Sequence, residues 1–429
     1  MKTYKRSCLP GGLRVITEEI PTVRSATIGV WVGTGSSWET PETMGISHFI
    51  EHMLFKGTTR RSAREIARAI DGLGGTLNAF TSKEHTCFYA KVLDRHLPKA
   101  VDVLADMIQH PLFDPADIDR EKAVVVEEIK MHEDIPDEVV HDLFASAVWP
   151  DHGLGRPVVG TVRTVRALSR EDLLAYYHRH YRPDNMVVAA AGNLRHEEVV
   201  EQVAEAFREL CEEVREAEPE PAAPTNPTSS VAVLREKETE QTHLVVGVRG
   251  LEQDHGEIYA LHLLNTILGG GASSRLFQEI REERGLAYSI YSCHSSFRRT
   301  GSFAIYTGTS HDASQQVLEL ILKSLRETSE RGVTPAELEE AKEQLKGQIM
   351  LSLESTAGRM SRLGRGELTT GRVLTPDEII SRIDSVTPEQ VHHLAQRLFQ
   401  QEPLVLSAVG ARVDRLNPAK FGFEEVRHG

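Results

Sequence analysis

The sequence is short of the features that mark secreted, membrane-spanning or nucleic-acid-binding proteins. Its 429 residues include only four widely spaced cysteines: Cys8, Cys87, Cys211 and Cys293. This spacing excludes a C-x-x-C thiolate zinc site and gives no support to a disulfide scaffold. No apolar run approaches the roughly 20 residues of a membrane span, and the basic residues at 1–8 are followed by no apolar leader segment. We therefore expect a reducing, cytoplasmic location and no membrane partner.

An excess of positive charge is also missing. Lysine and arginine together number 49 and aspartate and glutamate 63, so the formal net charge is −14. A chain with this balance is poorly suited to bind phosphate backbones, and we expect no nucleic-acid partner. The 40% hydrophobic and 26% charged residues are typical of a folded globular protein.

A proline-rich segment at residues 216–230 divides the chain almost in half. Closely spaced prolines can continue neither a helix nor a central strand, so this segment is predicted to be a surface linker. The predicted domains are residues 1–215 and 231–429.

The two halves repeat one pattern of predicted elements. Four pairs of segments occur in the same order: 25–33 with 242–250, 48–57 with 261–270, 87–90 with 302–305, and 114–119 with 334–339. The members of the last pair each open with an N-cap residue followed by proline, which is typical of a helix start. The sequence therefore predicts two α+β domains of one ancestry.

The sharpest local motif is H-x-x-E-H at residues 48–52. At 100° per residue, one side of this helix is an apolar stripe formed by Ile46, Phe49, Ile50, Met53 and Leu54. His48, Glu51 and His52 fall on the opposite side, with the two imidazoles close enough to bind one metal ion. A solvated polar face on a surface helix is the alternative interpretation.

A third ligand for such an ion is available on a second helix, which starts at Pro115. Glu121 and Glu128 are seven residues apart and share a face, so one can bind the metal while the other hydrogen-bonds a ligating histidine. The residue pattern does not decide which does which, and acidic residues are common on helix surfaces. In the second half, the positions equivalent to the two histidines and three glutamates of this site all hold residues without an imidazole or a carboxylate. These residues are Leu261, Leu264, Asn265, Ala341 and Gln348.

With these motifs in hand, the chain resembles the pitrilysin (insulinase) family of zinc peptidases, for which H-x-x-E-H is the inverzincin signature. The similarity is to the short form represented by the mitochondrial processing peptidase β subunit and its bacterial homologues. Six segments carry it: residues 45–58, 77–81, 121–128, 183–193, 269–277 and 281–288. The resemblance implies two homologous α/β-sandwich domains, with helices packed on mainly antiparallel sheets, that form half of a clam-shell chamber.

The resemblance also implies a site. It makes His48, His52 and Glu128 the ligands of one Zn²⁺ per chain, and Glu51 the general base that accepts a proton from the zinc-activated water. Glu121 becomes a supporting carboxylate, whereas Glu127 is not expected to bind metal.

Substrate contacts are implied in both halves. Arg281 and Tyr288 are expected to bind the substrate backbone and stabilise the oxyanion. Without the resemblance, ion pairing of the arginine with nearby acids and packing of the tyrosine under a loop would be the favoured explanation. An edge strand is expected to hold the extended peptide: Leu77, Asn78, Ala79, Phe80 and Thr81. The alternative for this segment is a paired interior strand with no substrate contact.

These features predict a zinc-dependent metalloendopeptidase that cleaves unfolded peptides or targeting-type segments. Because the zinc motif and the Arg281–Tyr288 pair occur in one chain, the resemblance implies a homodimer whose active sites combine residues of both subunits. The alternative function is a non-catalytic assembly subunit, similar to the core proteins of a respiratory complex, which usually lack intact metal ligands.

Overall fold

The computed structural model describes residues 4–212, 222–225 and 227–428. They form two compact units. The first contains the described residues up to 129 together with residues 157–212 and 350–375, and the second contains residues 130–156, the described residues from 222 to 349, and residues 376–428. Part of the predicted linker, residues 216–221 and 226, lies outside the described residues.

Twelve strands are present among the described residues. In chain order they are β1 (Tyr4–Cys8), β2 (Arg14–Glu19), β3 (Ser25–Val32), β4 (Thr76–Thr81), β5 (Thr86–Leu93), β6 (Met186–Gly192), β7 (Val231–Glu236), β8 (Thr242–Gly250), β9 (Ala287–Ser296), β10 (Gly301–Thr309), β11 (Val405–Gly410) and β12 (Glu424–His428).

The same part of the chain forms fifteen α-helices. They are α1 (Ile46–Leu54), α2 (Ala63–Asp71), α3 (Leu97–Gln109), α4 (Pro115–Asp134), α5 (Pro136–Val148), α6 (Val162–Ala167), α7 (Arg170–His180), α8 (His196–Ala206), α9 (Arg208–Glu212), α10 (Ile258–Gly269), α11 (Ser314–Arg331), α12 (Pro335–Ser352), α13 (Thr356–Thr370), α14 (Pro376–Asp384) and α15 (Pro388–Gln396).

Each unit is built on a six-stranded mixed sheet. The order is β1-β2-β6-β3-β5-β4 in the first unit and β12-β7-β11-β8-β10-β9 in the second. Five strands of each sheet correspond in order and direction, including one parallel pair, β2 with β6 and β7 with β11. The sixth differs, because β1 is antiparallel to β2 whereas β12 is parallel to β7. The predicted α+β class and the repeated order of elements are confirmed.

Both faces of each sheet are covered by helices. In the first unit Val30 belongs to the core that contains α1 and α3, whereas Trp31 faces α13. Strands buried on both faces lose the alternation of polar and apolar residues, and β3 is accordingly buried from its second residue to its last. In the second unit α5 covers the face of β8 and β11, while α10 and α11 belong to the opposite core.

The compact units differ from the sequence-based ranges 1–215 and 231–429 at two segments. Residues 130–156, with α5, belong to the second unit, and residues 350–375, with α13, belong to the first. The reason is packing. Gly364 lets α13 approach Trp31 so closely that a Cβ there would lie 2.1 Å from Trp31 Nε1, and Arg359 and Arg362 pair with the buried carboxylate of Glu18.

Among the described residues, no helix is both long enough and apolar enough to cross a bilayer.

Candidate metal centre

Helix α1 carries the H-x-x-E-H motif, and its apolar stripe anchors it in the first unit. Ile46, Phe49, Ile50, Met53 and Leu54 are all at most 1% exposed, as the periodicity predicts. The opposite face of the helix is less exposed to solvent than a typical polar surface. The side chain of His48 is only 11% exposed and that of His52 is 22% exposed. The motif therefore lies in a recess, which favours ligand binding over a simple polar surface.

The start of α1 is fixed by a glycine and a buried carboxylate. Gly45 has φ +89°, and a Cβ there would lie 2.8 Å from the carbonyl oxygen of Val159. Glu39 accepts hydrogen bonds from the backbone N–H of Gly45 (2.8 Å) and of Ser47 (3.0 Å). Burial raises the pKa of Glu39, while these hydrogen bonds oppose the rise. Glu39 thus satisfies amide groups at the helix end and sets the position of the motif.

Helix α4 brings Glu128 to the two imidazoles. Its Oε1 lies 3.6 Å from His48 Nε2, and its Oε2 lies 3.6 Å from His52 Nε2. One ligand atom from each of the three side chains lies within 4.8 Å of the others, and among the described residues these form the one group able to hold a metal ion. Glu127 is exposed on the same helix and is outside this group.

These distances fit a metal ion better than direct hydrogen bonding. A nitrogen and a carboxylate oxygen 3.6 Å apart are beyond hydrogen-bond range. In a tetrahedral zinc site with bonds of about 2.1 Å, ligand atoms lie about 3.4 Å apart. Two imidazole nitrogens and one carboxylate oxygen are also the donor set of one common class of catalytic zinc site. The residues present therefore fit a zinc ion.

The two histidines differ in the direction of their pKa shifts. Burial, and then the charge of His52, lower the pKa of His48 to about 3, so its imidazole is neutral at physiological pH. His52 Nδ1 lies 3.0 Å from Glu121 Oε2. Burial would lower the pKa of His52, but the hydrogen bond to Glu121 and the charges of Glu128, Glu121 and Glu51 outweigh burial and raise that pKa. Because an ionised carboxylate only accepts, Nδ1 donates to Glu121, and Nε2 is the nitrogen that must lose its proton for a metal ion to bind.

Glu121 is itself held by Lys56, whose Nζ lies 2.6 Å from Glu121 Oε1. Burial raises the pKa of Glu121, but the hydrogen bonds from His52 and Lys56 outweigh it and leave that pKa below its ordinary value. Lys56, Glu121 and His52 therefore form a continuous chain of contacts that ends at the metal centre.

Glu51 projects from the same face of α1 and touches strand β4. Its Oε2 accepts a hydrogen bond of 2.6 Å from the hydroxyl of Thr81. Burial raises the pKa of Glu51, and the bond from Thr81 opposes the rise. A carboxylate whose pKa is raised above its ordinary value is suited to accept a proton and pass it on.

Strand β4 holds the predicted edge segment, residues 77–81. It is the outermost strand of the first sheet and pairs only with β5 in the described sheet. The alternative of an interior strand paired on both sides is therefore wrong. Phe80 is 37% exposed on this strand, and Thr81 links its end to Glu51.

Arg281 and Tyr288 belong to the second unit, where they lie together. The guanidinium carbon of Arg281 lies 4.8 Å from the ring centre of Tyr288 and 4.6 Å from that of Phe277. Two aromatic faces thus hold the guanidinium by cation–π contacts. Tyr288 is 78% exposed, so its ring is not packed under a loop.

In the second unit, apolar residues occupy the positions equivalent to His48, Glu51 and Glu121, and the amides Asn265 and Gln348 occupy those equivalent to His52 and Glu128. Leu261 and Leu264 on α10 are fully buried, and Ala341 on α12 is 3% exposed. The scaffold is kept, whereas three of the five positions contribute to the hydrophobic core and none of the five carries an imidazole or a carboxylate.

Sequence reasoning missed Lys56, Glu39 and Phe277. Lys56 had a usable signal, since it follows His52 by four residues, the spacing at which side chains of a continued helix are neighbours; in the structure Lys56 lies just beyond the end of α1. Phe277 precedes Arg281 by the same spacing in one helical segment, whereas Glu39 acts through contacts that no spacing in the sequence indicates.

Two family models match successive parts of the chain. Residues 14–162 match the family model described as insulinase (peptidase family M16), and residues 167–345 match the model described as peptidase M16 inactive domain.

Relatives resemble the chain over nearly its whole length. The chain is 49% identical to the uncharacterized zinc protease YmxG of Bacillus subtilis, over 93% of this chain and 96% of that protein. It is 45% identical to an uncharacterized zinc protease of Streptomyces coelicolor, over 96% of this chain and 91% of the relative.

Solved structures share the fold. A protease from Helicobacter pylori aligns with a TM-score of 0.88 at 20% identity, covering 95% of this chain and 99% of that one. A peptidase M16 inactive domain from Pseudomonas fluorescens aligns with a TM-score of 0.86 at 22% identity, covering 95% and 98% of the two chains.

Proposed function

The chain belongs to the insulinase family of peptidases, family M16, and from this premise we propose that it is a zinc-dependent endopeptidase acting on unfolded peptides or targeting-type segments. One observation carries the proposal: ligand atoms of His48, His52 and Glu128 converge within 4.8 Å of one another, with Glu51 on the same helix face. The intact donor set counts against the alternative of a non-catalytic assembly subunit.

The chemistry divides between the ion and the chain. Bound zinc would polarise a water molecule and lower its pKa toward about 7. His48, His52 and Glu128 would hold the ion, and Glu121 would keep His52 in the tautomer that presents Nε2. Glu51 would take the proton of the attacking water and deliver it to the leaving amine.

The edge strand gives a way to hold an extended peptide. Added beside β4, a substrate would gain main-chain hydrogen bonds that do not depend on its sequence. A role for unfolded substrates follows, because only an extended segment can pair with a strand edge in this way.

The proposal includes a homodimer in which Arg281 and Tyr288 of one subunit complete the metal centre of the other. Their cation–π contact in the second unit leaves Tyr288 exposed and available to a substrate. Mixing a His52→Ala chain with an Arg281→Ala chain should restore part of the activity. Verified mixed dimers without any recovery would speak against shared sites.

The Glu51→Gln variant tests the proposed function. We expect it to bind zinc as the parent does and to lose peptide hydrolysis, because the amide cannot accept the proton. Glu127→Gln is the matched control, since it removes an exposed carboxylate outside the ligand group. Equal turnover by Glu51→Gln would remove Glu51 from its role, and a parent protein that binds no zinc would favour an assembly function.

A further inference from the structure

The hydroxyl of Thr81 joins the edge strand to the carboxylate proposed as general base. Thr81 is the last residue of β4, and its Oγ1 lies 2.6 Å from Glu51 Oε2. This length is typical of a hydroxyl that donates to an ionised carboxylate, a bond stronger than one between neutral groups.

The single proton of this hydroxyl has one good acceptor. Thr86 Oγ1, opposite in the β4–β5 ladder, is 3.4 Å away. The hydroxyl of Thr86 donates its own hydrogen bond to the carbonyl oxygen of Thr34, at 3.0 Å. The Thr81 proton therefore goes to Glu51.

The hydrogen bond to one carboxylate oxygen of Glu51 leaves the other oxygen to contact the attacking water. Glutamate has three side-chain torsions, and a free carboxylate would sample several orientations beside the metal centre. With Oε2 held by Thr81, Oε1 is the oxygen left to meet the attacking water. A base that is oriented before the reaction lowers the entropic part of the barrier.

We propose that Thr81 is a positioning residue, whose hydroxyl orients Glu51 and couples it to the strand that receives the peptide. This inference rests on the peptidase function proposed above. Because Thr81 acts on the base and not on substrate affinity alone, its loss should appear in kcat more than in KM.

The test compares Thr81→Val, which keeps the shape and strand preference, with Thr81→Ser, which keeps the hydroxyl. Each is prepared as the full-length, zinc-loaded protein and assayed on an unstructured, internally quenched peptide. Thr27→Val is the control, since it removes a buried hydroxyl of the same sheet that bonds with Thr356 (2.8 Å).

We expect Thr81→Val to lower kcat about 10- to 100-fold, the loss of one hydrogen bond to a charged group, with unchanged zinc content and KM within about twofold. Thr81→Ser should recover most of the lost rate, and Thr27→Val should match the parent. A Thr81→Val variant that keeps the kcat of the parent, with or without a raised KM, would overturn the proposal. A Thr81→Ser variant that is as slow as Thr81→Val would overturn it as well.

A second readout does not depend on activity. In crystals of the zinc-loaded Thr81→Val protein, Glu51 should leave its parental orientation or occupy more than one. A single, unchanged orientation would overturn the role of Thr81. If the parent protein binds zinc but cleaves no peptide, the peptidase function fails, and the orientation of Glu51 alone decides the role of Thr81.

Discussion

At the scale of single residues, the metal centre divides into side chains that the sequence identifies and side chains that only the fold reveals. The H-x-x-E-H spacing placed His48, Glu51 and His52 on one helix face. The choice between Glu121 and Glu128 needed the family resemblance, because seven residues bring both to the same face. The structure puts Glu128 opposite both Nε2 atoms and Glu121 on His52 Nδ1.

Lys56 gives a residue-scale prediction about metal affinity. Its ammonium contacts Glu121, which in turn fixes His52. Removing the charge by Lys56→Met should loosen this support and weaken zinc binding about tenfold, at the low end for outer contacts of metal sites. Competition with a chelator measures the change. Lys56→Arg, which keeps the charge, should stay closer to the parent, and equal affinity in Lys56→Met would show that Lys56 plays no part.

At the scale of elements, local sequence signals placed helix starts correctly. Asp114 accepts hydrogen bonds from the backbone N–H of Ala116 and Asp117, and Thr334 forms a capping box with Glu337. These capping contacts join residues two or three positions apart in the chain, so they can be predicted without knowledge of the fold. The carboxylate of Glu39 at the start of α1 is different, because it arrives from a loop.

Glu39 supports a prediction about stability. Glu39→Ala leaves the buried N–H groups of Gly45 and Ser47 without their acceptor, which should lower the free energy of unfolding by about 1–3 kcal/mol. Denaturant unfolding measures this, with Glu201→Ala, on the exposed side of α8, as the control expected to change stability by less than about 0.5 kcal/mol. Equal effects of the two variants would contradict the role of Glu39.

Glu337 supports a prediction about pH. Its hydrogen bond from Arg275, opposed by burial and joined by bonds from Thr334, lowers its pKa to about 2 from an ordinary 4.5. A lowered pKa stabilises the fold above the ordinary value and loses this effect as the pH falls toward 2. Glu337→Gln should therefore be less stable than the parent at pH 7, and the gap should close between about pH 4.5 and 2. A constant gap across this range would refute the assignment.

At the scale of the whole molecule, the sequence predicted two related α+β domains but not the exchange of helices. Residues 130–156 and 350–375 each join the unit built mostly from the other half of the chain. Amphipathic periodicity shows that α5 and α13 bury one face, but it does not say which sheet receives it. Contacts such as Trp31 with Gly364 become visible only in the folded chain.

The exchange predicts that a half-chain will not fold alone. A fragment ending at residue 212 lacks α13, so one face of its sheet, with Ile16, Trp31 and Val187, loses its cover. We expect this fragment to bind a hydrophobic dye and to lack near-ultraviolet circular dichroism. Joining residues 350–375 to its end through a flexible linker should restore the circular dichroism toward that of the full chain and reduce dye binding, while the apolar face of α5 stays uncovered. A folded, dye-free fragment without α13 would contradict this account.

The central claim is that His48, His52 and Glu128 hold one zinc ion. Anomalous diffraction at the zinc absorption edge, on crystals of the zinc-loaded protein, tests it most directly. We expect one strong peak per chain, about 2.0–2.2 Å from Nε2 of both histidines and from an oxygen of Glu128, with Glu121 outside bonding distance. A peak bound by Glu121 instead of Glu128, or no peak at this group, would contradict it.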